Sequence, residues 1–394
     1  MQATLEGIRV LDFGRYVAGP YCATILADFG ADVIRIERRG GSEDRTIVPV
    51  TDDGEGALFL QINRNKRSVT LDLRQPGARA ILERLVAVSD VVVTSLPAPA
   101  LPALGLDYAA LRAWREDIIL ANVSSFGPTG PWAERGGFDS VGQAMCGSAF
   151  LSGDGEVPVR TPITWVDHAA GLYAAVSVMM ALYERQRTGR GQEVQTSLLG
   201  AALSFSATYL IEQALTGIDR TAIGNRSFVN GPTDSFATKD GWIVTQVVGD
   251  PLFRRWATLM GEPEWLADPA FATDALRGIN GARLSERMAR WCAERSSADA
   301  LDALQAAGIP AGPVLSPQAA LDHLQVQAMG LFEKVVYPGL GQAAPLARFP
   351  AEFSAAPPEI RTPPPAVGAH NQEVLEELGF SGEEIDGFVR DLVI

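Results

Sequence analysis

The chain has 394 residues, of which 47% are hydrophobic and 20% charged, and its formal net charge is −14. This length predicts roughly two to three domains with a substantial core, and the apolar content argues against disorder. The acidic balance argues against a nucleic-acid partner, because binding a phosphate backbone requires a broad basic face.

Metal and membrane classes are also disfavoured. Cys22, Cys146 and Cys292 are too few and too scattered for a disulfide framework or a zinc site, and there are only three histidines. Residues 1–6 lack the basic and apolar parts of a secretory signal. The longest apolar run, residues 169–183, is shorter than the roughly 20 residues that cross a bilayer. We therefore expect a soluble cytoplasmic protein with no membrane partner and no bound metal.

The N-terminal part alternates strand and helix patterns. Residues 8–13 and 32–37 are strand candidates that flank a helix candidate at 20–29, which makes a βαβ unit. The alternation continues with strands at 68–73, 90–93 and 118–123 and a helix at 77–88. This pattern predicts an α/β fold with a doubly wound, Rossmann-like parallel sheet.

The character of the chain changes near residue 216. A strand at 242–248 and helices at 253–260, 284–292 and 297–307 predict a smaller α+β domain over residues 216–318. Residues 1–215 then form the N-terminal part of the large domain. Residues 319–394 are expected to be a proline-rich linker and a C-terminal part with helices at 371–378 and 382–390.

Asp167 is the first candidate for chemistry, because it follows an irregular stretch and opens a long apolar helix. Exposed N–H groups and the macrodipole favour a negative charge there, so we expect this carboxylate to be ionised at pH 7 and able to act as a nucleophile. The alternative is a plain N-cap. Asp139 precedes another apolar run and is either an orienting partner of Asp167 or itself an N-cap. His168 is expected to be structural.

Two basic clusters predict an anionic ligand. Arg35, Arg38 and Arg39 surround the end of the second strand, and residues 63–68 with Arg74 form the other cluster. Guanidinium groups at the carboxyl ends of strands suit a ligand with several phosphates, such as coenzyme A. The alternative is a solvated charged surface. Residues 13–20 lack the glycine fingerprint of a dinucleotide site, which argues against an NAD enzyme.

Several segments resemble the family III CoA-transferases (the CaiB/BaiF family), which include formyl-CoA:oxalate and carnitine CoA-transferases. The resemblance covers nearly the whole chain. The segments are G-I-R-V-L-D-F at 7–13, A-G-P-Y at 18–21, A-D-F-G-A-D-V-I-R-I-E at 27–37, N-R-N-K-R-S-V-T-L-D-L at 63–73, G-F-D at 137–139, T-G-R-G-Q at 188–192, G-I-P-A-G-P-V at 308–314 and V-G-A-H-N at 367–371.

This resemblance implies that Asp167 is the catalytic aspartate. It would attack an acyl-CoA to give an aspartyl–acyl anhydride, which CoA thiolate would open to an aspartyl-CoA thioester for transfer to an acceptor carboxylic acid. CoA is then a substrate, and no cofactor stays bound. The resemblance also implies an interlocked homodimer, in which each large domain is built from both chain ends around the inserted small domain.

The resemblance also places ligand contacts. By position, the CoA contacts fall on Val17, Ala18, Arg38, Leu71, Asp72, Leu73, Arg74, Gly136, Gly137, Phe138 and Asp139. Arg15 and Tyr16 lie beside the expected acceptor site. Arg15 could pair with the second carboxylate of a dicarboxylate acceptor, whereas Tyr16, Val17 and Trp165 could equally form an apolar pocket.

The chain departs from the family pattern at three places. Val17 replaces a glutamine of the formyl-CoA transferases, and their glycine-rich loop is missing around residues 230–234, so formyl or oxalate specificity is not expected. Residues 94–99 read T-S-L-P-A-P instead of E-N-F-R-P-G, which predicts that one CoA contact is lost or replaced. A racemase of α-methylacyl-CoA is the second hypothesis. The related racemases move the α-proton between a histidine and an aspartate, and Phe138 stands at the position of that histidine in this chain. A non-catalytic CoA-binding protein is the third.

Overall fold

A six-stranded parallel sheet forms the centre of the protein in the computed structural model, which describes residues 3–52 and 54–394. Its strands are β1 (Arg9–Phe13), β2 (Asp32–Glu37), β3 (Lys66–Thr70), β4 (Val91–Thr94), β5 (Ile119–Ser124) and β6 (Glu193–Ser197). They lie in the spatial order β3-β2-β1-β4-β5-β6. The predicted parallel α/β sheet is confirmed. Its order reverses between β1 and β4, as in Rossmann-like sheets, where ligands bind at the carboxyl ends of the strands.

The remaining elements are helices, a short antiparallel sheet and a hairpin. The helices are α1 (Ala18–Asp28), α2 (Ala57–Ile62), α3 (Ala78–Ala87), α4 (Leu101–Leu104), α5 (Tyr108–Trp114), α6 (Asp139–Met145), α7 (Ser148–Leu151), α8 (Trp165–Thr188), α9 (Leu198–Thr216), α10 (Gly249–Met260), α11 (Asp274–Ile279), α12 (Gly281–Ala293), α13 (Ser297–Ala306), α14 (Pro317–Asp322), α15 (Leu324–Ala328), α16 (Asn371–Glu377) and α17 (Gly382–Arg390). The other strands are β7 (Thr233–Ala237), β8 (Trp242–Gln246), β9 (Ala311–Pro313), β10 (Phe332–Val335) and β11 (Ala344–Ala347).

The chain divides into two units. Unit 1 contains the described residues up to Cys146, residues 162–211 and residues 329–394, and unit 2 contains residues 147–161 and 212–328. The prediction placed residues 147–161 in the large domain, and this was wrong. The amide of Gly224 donates to the carbonyl of Gly153 at 2.7 Å, a contact across about 70 residues of sequence. Such a long-range contact leaves no local sequence pattern.

Both faces of the six-stranded sheet are buried, because side chains alternate along each strand. Val10 and Val33 pack with α1 and α8 on one face. Leu11 and Ile34 pack with α3, α16 and α17 on the other. Strand β6 escaped the sequence analysis because its residues, Glu193–Ser197, are polar and only partly buried at the sheet edge.

Unit 2 has a core of its own. Strands β7, β8 and β9 pair antiparallel, and α10, α12 and α13 contribute to the core beside them. Phe253, Trp256 and Phe271 are buried at its centre, with Leu284 and Met288 from α12. The predicted strand near 242 and the three predicted helices are all present, each shifted by a few residues at most.

The second basic cluster predicted as a ligand site is largely buried and neutralised. Lys66 Nζ donates to Asp12 Oδ2 and to the Pro20 carbonyl, both at 2.8 Å, and Arg64 pairs with Asp28. Arg35, from the other cluster, is also buried and donates to both carboxylate oxygens of Asp44 at 2.9 Å. These cations lie on or beside strands β2 and β3, and their burial requires a counter-charge. Among the predicted basic residues, Arg38, Arg39 and Arg74 are exposed.

Two helices, α8 and α9, are long and apolar enough to cross a bilayer by length and composition. Helix α8 has 24 residues, so the sequence estimate from residues 169–183 was too short. Over half of its most apolar window, 56%, is buried, which is typical of a core helix. Only 17% of the window of α9 is buried, and Phe205, Leu210, Ile211 and Leu215 are exposed there.

Helices α1 and α8 approach very closely at Gly171. A Cβ atom added there would lie 2.6 Å from the carbonyl oxygen of Ala18 and 3.1 Å from the ring of Tyr21. Only glycine fits without movement of one helix. Since Gly171 lies about one turn after Asp167, this contact sets the position of the N-terminal turn of α8.

We expect Gly171→Ala to lower the free energy of unfolding by about 1–3 kcal/mol, because the added methyl group overlaps backbone. Gly281→Ala is the matched control. Gly281 is also helical, but an added Cβ there meets no atom within 4 Å, so its stability should be unchanged or slightly higher. Urea unfolding of both variants checks this. Equal stabilities would show that the two helices can separate without cost.

Candidate active site

A cavity of about 380 Å³ opens at the carboxyl end of the parallel sheet. Its walls come from the segments that follow β1, β4 and β5 and from the first turn of α8. This is where a Rossmann-like sheet binds its ligands. Eight of the predicted site residues line it: Arg15, Tyr16, Val17, Ala18, Gly136, Gly137, Phe138 and Asp167.

Asp167 is not an N-cap. It is the third residue of α8, which begins at Trp165 after the cap position Thr164, and it is only 8% exposed. The carboxylate of Asp139 serves the helix entrance instead. Its Oδ2 accepts hydrogen bonds from the amides of Val166 at 2.7 Å and of Asp167 at 3.2 Å. The backbone donors that were expected to stabilise Asp167 are therefore already occupied.

Asp139 is accordingly not a cap of its own helix. The N-cap position of α6 is occupied by Phe138, and Asp139 is the first residue of the helix. The other carboxylate oxygen of Asp139, Oδ1, accepts a hydrogen bond from Gln143 Nε2, one turn later in α6. Asp139 is buried beneath the cavity and does not line it. Of the two interpretations of Asp139, the structure supports an orienting partner of Asp167.

The protonation of Asp167 differs from the expectation. Burial, followed by the nearby charge of Asp139, raises the pKa of Asp167 to about 7. The carboxyl group is therefore divided between its two protonation states at pH 7, whereas the sequence predicted a fully ionised group. The error arose because helix-terminus electrostatics favour a charge only where the carboxylate is solvated or receives the free amides.

The other predicted contacts also follow the carboxyl ends of strands in the parallel sheet, but they lie outside the cavity lining. Arg38 follows β2, and residues 71–74 follow β3. Leu71 is buried and Leu73 partly buried, whereas Arg74 is exposed and pairs with Asp72 at 2.9 Å. Because the strands are parallel, these groups lie on the side of the sheet that carries the cavity, beyond its lining.

Two aromatic side chains stand together at the cavity. The rings of Tyr16 and Phe138 meet edge to face with centroids 5.2 Å apart. Tyr16 has φ of 61°, a left-handed conformation that costs free energy for a residue with a side chain. This backbone conformation, in the turn after β1, places Tyr16 in the lining of the cavity.

Sequence reasoning missed several lining residues. They are Ser95, Leu96, Pro97, Val123, Ser124, Ser125, Val141 and Leu198. Four of them follow β4 or β5, and Val123 and Ser124 are the last residues of β5, so the position of each strand end was the available signal. The segment at 94–99 lines the cavity although it departs from the family pattern, and Ser95 Oγ accepts the amide of Arg15 at 2.7 Å.

His168 lies outside the cavity lining. Its Nδ1 is 2.7 Å from the carbonyl oxygen of Thr164, and its ring packs against Tyr21 of α1 with centroids 4.8 Å apart. These contacts join the helix entrance to α1, which agrees with the structural role expected for His168. Within the described ranges 3–52 and 54–394, no group of three or more His, Cys, Asp or Glu side chains is arranged to hold a metal ion.

The family model "CoA-transferase family III" matches residues 5–371. The chain is 34% identical over 377 residues to succinyl-CoA–D-citramalate CoA-transferase of Chloroflexus aurantiacus, covering 95% of this chain and 94% of that protein. It is 33% identical to succinyl-CoA:glutarate CoA-transferase of Mus musculus, covering 95% and 86%. A crystal structure of a CaiB/BaiF family protein from Brucella suis matches with a TM-score of 0.84 and 31% identity, over 96% and 100%.

The raised pKa of Asp167 makes stability depend on pH. The folded state holds this proton more tightly than the unfolded state, so stability is lost as pH rises from about 4 to about 7. Asp167→Asn removes the ionisation. We expect its free energy of unfolding to exceed that of the wild type by up to about 4 kcal/mol at pH 8 and to match it near pH 4.

Urea unfolding between pH 4 and pH 8 measures this difference, with the exposed Asp302→Asn as the control. A difference between Asp167→Asn and the wild type that stays constant with pH would contradict the raised pKa. If the free energy of unfolding of Asp302→Asn also rose above that of the wild type with increasing pH, the effect would come from the change in net charge instead.

Proposed function

The chain belongs to family III of the CoA-transferases, and we propose that it transfers CoA from an acyl-CoA to a dicarboxylic acid through a covalent intermediate on Asp167. The enzyme class follows from the full-length family match and from relatives that are CoA-transferases. The observation that carries the proposed route is the nearly buried carboxyl group of Asp167, which lines the cavity. It belongs to the first turn of α8, whose backbone amides donate to Asp139.

The proposed route exchanges one acyl bond at a time. The Asp167 carboxylate attacks the carbonyl carbon of the acyl-CoA, the C–S bond breaks, and CoA leaves as thiolate. The thiolate then attacks the aspartyl carbon of the resulting anhydride and releases the donor acid. The acceptor carboxylate attacks the carbonyl carbon of the aspartyl thioester, the C–S bond breaks, and CoA thiolate leaves to give a second anhydride. The thiolate then attacks the acceptor carbonyl carbon of this anhydride, and the C–O bond to Asp167 breaks to release the new acyl-CoA and the Asp167 carboxylate. Each step exchanges a carboxylate for a thiolate, so no external energy source is needed.

The environment of Asp167 suits this role. A carboxylate with a pKa near 7 is a stronger base and nucleophile than an ordinary aspartate, yet a large fraction is ionised at neutral pH. Burial also removes water, which would otherwise hydrolyse the anhydride. The hydrogen bonds of Asp139 to the backbone fix the first turn of α8, and this limits the directions in which Asp167 can attack.

CoA is proposed to lie along the carboxyl edge of β1, β2 and β3. Arg38, Arg39 and Arg74 are the exposed remainder of the basic clusters, and all three follow β2 or β3. Guanidinium groups in this position suit phosphate oxygens. The thioester end would reach Asp167 past Val17 and Ala18, which line the cavity.

A dicarboxylate acceptor is proposed because Arg15 lines the same cavity as Asp167. One acceptor carboxylate would react at Asp167 while Arg15 holds the other. The relatives are named for citramalate and glutarate, which are dicarboxylates. A racemase is disfavoured because Phe138 has no titratable atom to exchange an α-proton.

Mass spectrometry after incubation with succinyl-CoA tests the covalent route. We expect a CoA-sized mass increase that maps to the peptide containing Asp167, is lost with hydroxylamine, and is absent from Asp167→Ala. Asp302→Ala, a change at an exposed aspartate of unit 2, is the matched control and should retain the adduct. An adduct that persists in Asp167→Ala would place the nucleophile elsewhere.

We further propose that the exposed apolar surface of α9 is covered by a second copy of the chain in a homodimer. Phe205, Leu210 and Ile211 are exposed at different positions around α9, and the ring of Tyr173 of α8 meets that of Phe205 edge to face with centroids 6.2 Å apart. Large apolar patches of this kind typically mark interfaces. The family resemblance, which implies an interlocked homodimer, supports a second copy of the chain as the partner.

Light scattering in detergent-free buffer tests the oligomeric state. We expect a dimer for the wild type and for Val88→Asp, whose exposed side chain ends α3. Ile211→Asp should weaken or abolish the dimer, because a carboxylate would be buried against apolar surface. A wild-type monomer would contradict the proposal, as would a dependence on detergent or lipid for solubility.

A further inference from the structure

The side chain of Glu43 joins two arginines of the proposed ligand site. Its Oε1 accepts a short hydrogen bond from Arg15 Nη2 and lies 3.3 Å from Arg38 Nη1. Arg15 lines the cavity beside Asp167, and Arg38 belongs to the edge assigned to CoA. One carboxylate thus serves two guanidinium groups, and the three side chains together carry a net positive charge.

Buried ion pairs of the next two residues fix the backbone at Glu43. Glu43 begins a short 3₁₀ helix, Glu43–Thr46, and the next two residues point into the buried charge network. Asp44 pairs with Arg35 at 2.9 Å, and Arg45 pairs with Glu37 at 2.7 Å. The backbone of Glu43 is therefore fixed by the buried contacts of its neighbours, while its side chain is 34% exposed.

Arg15 combines a hydrogen-bonded backbone with a partly exposed side chain. Its amide donates to Ser95 Oγ at 2.7 Å, while its side chain is 42% exposed. A guanidinium binds any carboxylate in the same geometry. Glu43 therefore offers Arg15 the same chemical group as the remote end of a dicarboxylate acceptor.

We propose that Glu43 is an internal competitor for this remote carboxylate, so that Arg15 exchanges Glu43 for the acceptor. This inference rests on the proposed dicarboxylate acceptor. When Arg15 turns to the acceptor, Glu43 remains beside Arg38 and is not left as an unpaired charge. Competition from Glu43 lowers the affinity of the site for dicarboxylates. The ion pair between Glu43 and Arg15 also holds the Arg15 side chain in place while the cavity is empty.

Steady-state kinetics of Glu43→Gln tests the exchange, with succinyl-CoA as donor, glutarate as dicarboxylate acceptor and butyrate as monocarboxylate acceptor. Because an exposed ion pair changes affinity only modestly, we expect the KM for glutarate to fall about twofold to fivefold with kcat unchanged. The KM for butyrate should not change. Glu286→Gln is the control, since it removes an exposed carboxylate paired with Arg290 at 2.9 Å.

Arg15→Gln and the double variant separate exchange from general charge. Arg15→Gln should raise the KM for glutarate, and adding Glu43→Gln to it should then have no further effect, because Glu43 acts through Arg15. A fall in KM for both acceptors, or an equal effect in the Arg15→Gln background, would overturn the exchange in favour of nonspecific attraction. A higher KM for glutarate in Glu43→Gln would also overturn it and make Glu43 a positioning residue.

The wild-type result distinguishes this inference from the function on which it rests. If the wild type transfers CoA to glutarate and butyrate equally well, the dicarboxylate acceptor is wrong and the exchange is overturned with it. If the wild type prefers glutarate and Glu43→Gln leaves its KM unchanged, the acceptor class stands and only the exchange is overturned.

Discussion

The rest of the site depends on the hydrogen bonds that the Asp139 carboxylate accepts from the backbone amides in the first turn of α8. This carboxylate satisfies donors that a helix entrance leaves free and fixes the turn that carries Asp167. The same charge, added to burial, raises the pKa of Asp167. Asp139 thus contributes both to the orientation and, after burial, to the basicity of the proposed nucleophile. An aspartate that capped its own helix would be exposed, acidic and a poor nucleophile.

The surrounding fold makes this arrangement rigid. Gly171 lets α8 lie directly against the backbone of α1, so the helix cannot shift without losing this contact. Within the sheet, Lys66 and Asp12 join β3 to β1 through a fully buried pair. Buried charges that are well paired contribute little net stability but strongly disfavour other arrangements. The sheet edge that carries the proposed CoA site is therefore set before any ligand arrives.

The sequence predicted the parts of this structure that have local signals. Alternating strand and helix patterns located β1, β2 and the parallel sheet, and the position of Asp167 before an apolar run identified the candidate nucleophile. Three features depend on contacts distant in sequence and were missed. Asp139 caps a helix that begins 26 residues later, at Trp165. Lys66 and Arg64 pair with buried acids, although as a run of basic residues they suggest a phosphate site. Residues 147–161 join unit 2 through Gly224.

The pKa of Asp167 in the folded enzyme tests the central claim most directly. Carbon-13 NMR of aspartate-labelled protein, with the signal assigned from Asp167→Asn, measures it in the wild type and in Asp139→Asn. The account predicts a value of about 7 in the wild type. It predicts a lower value in Asp139→Asn, still above that of an ordinary aspartate because burial remains. A wild-type value near 4, or a value that Asp139→Asn does not lower, would contradict the coupling of the two carboxylates.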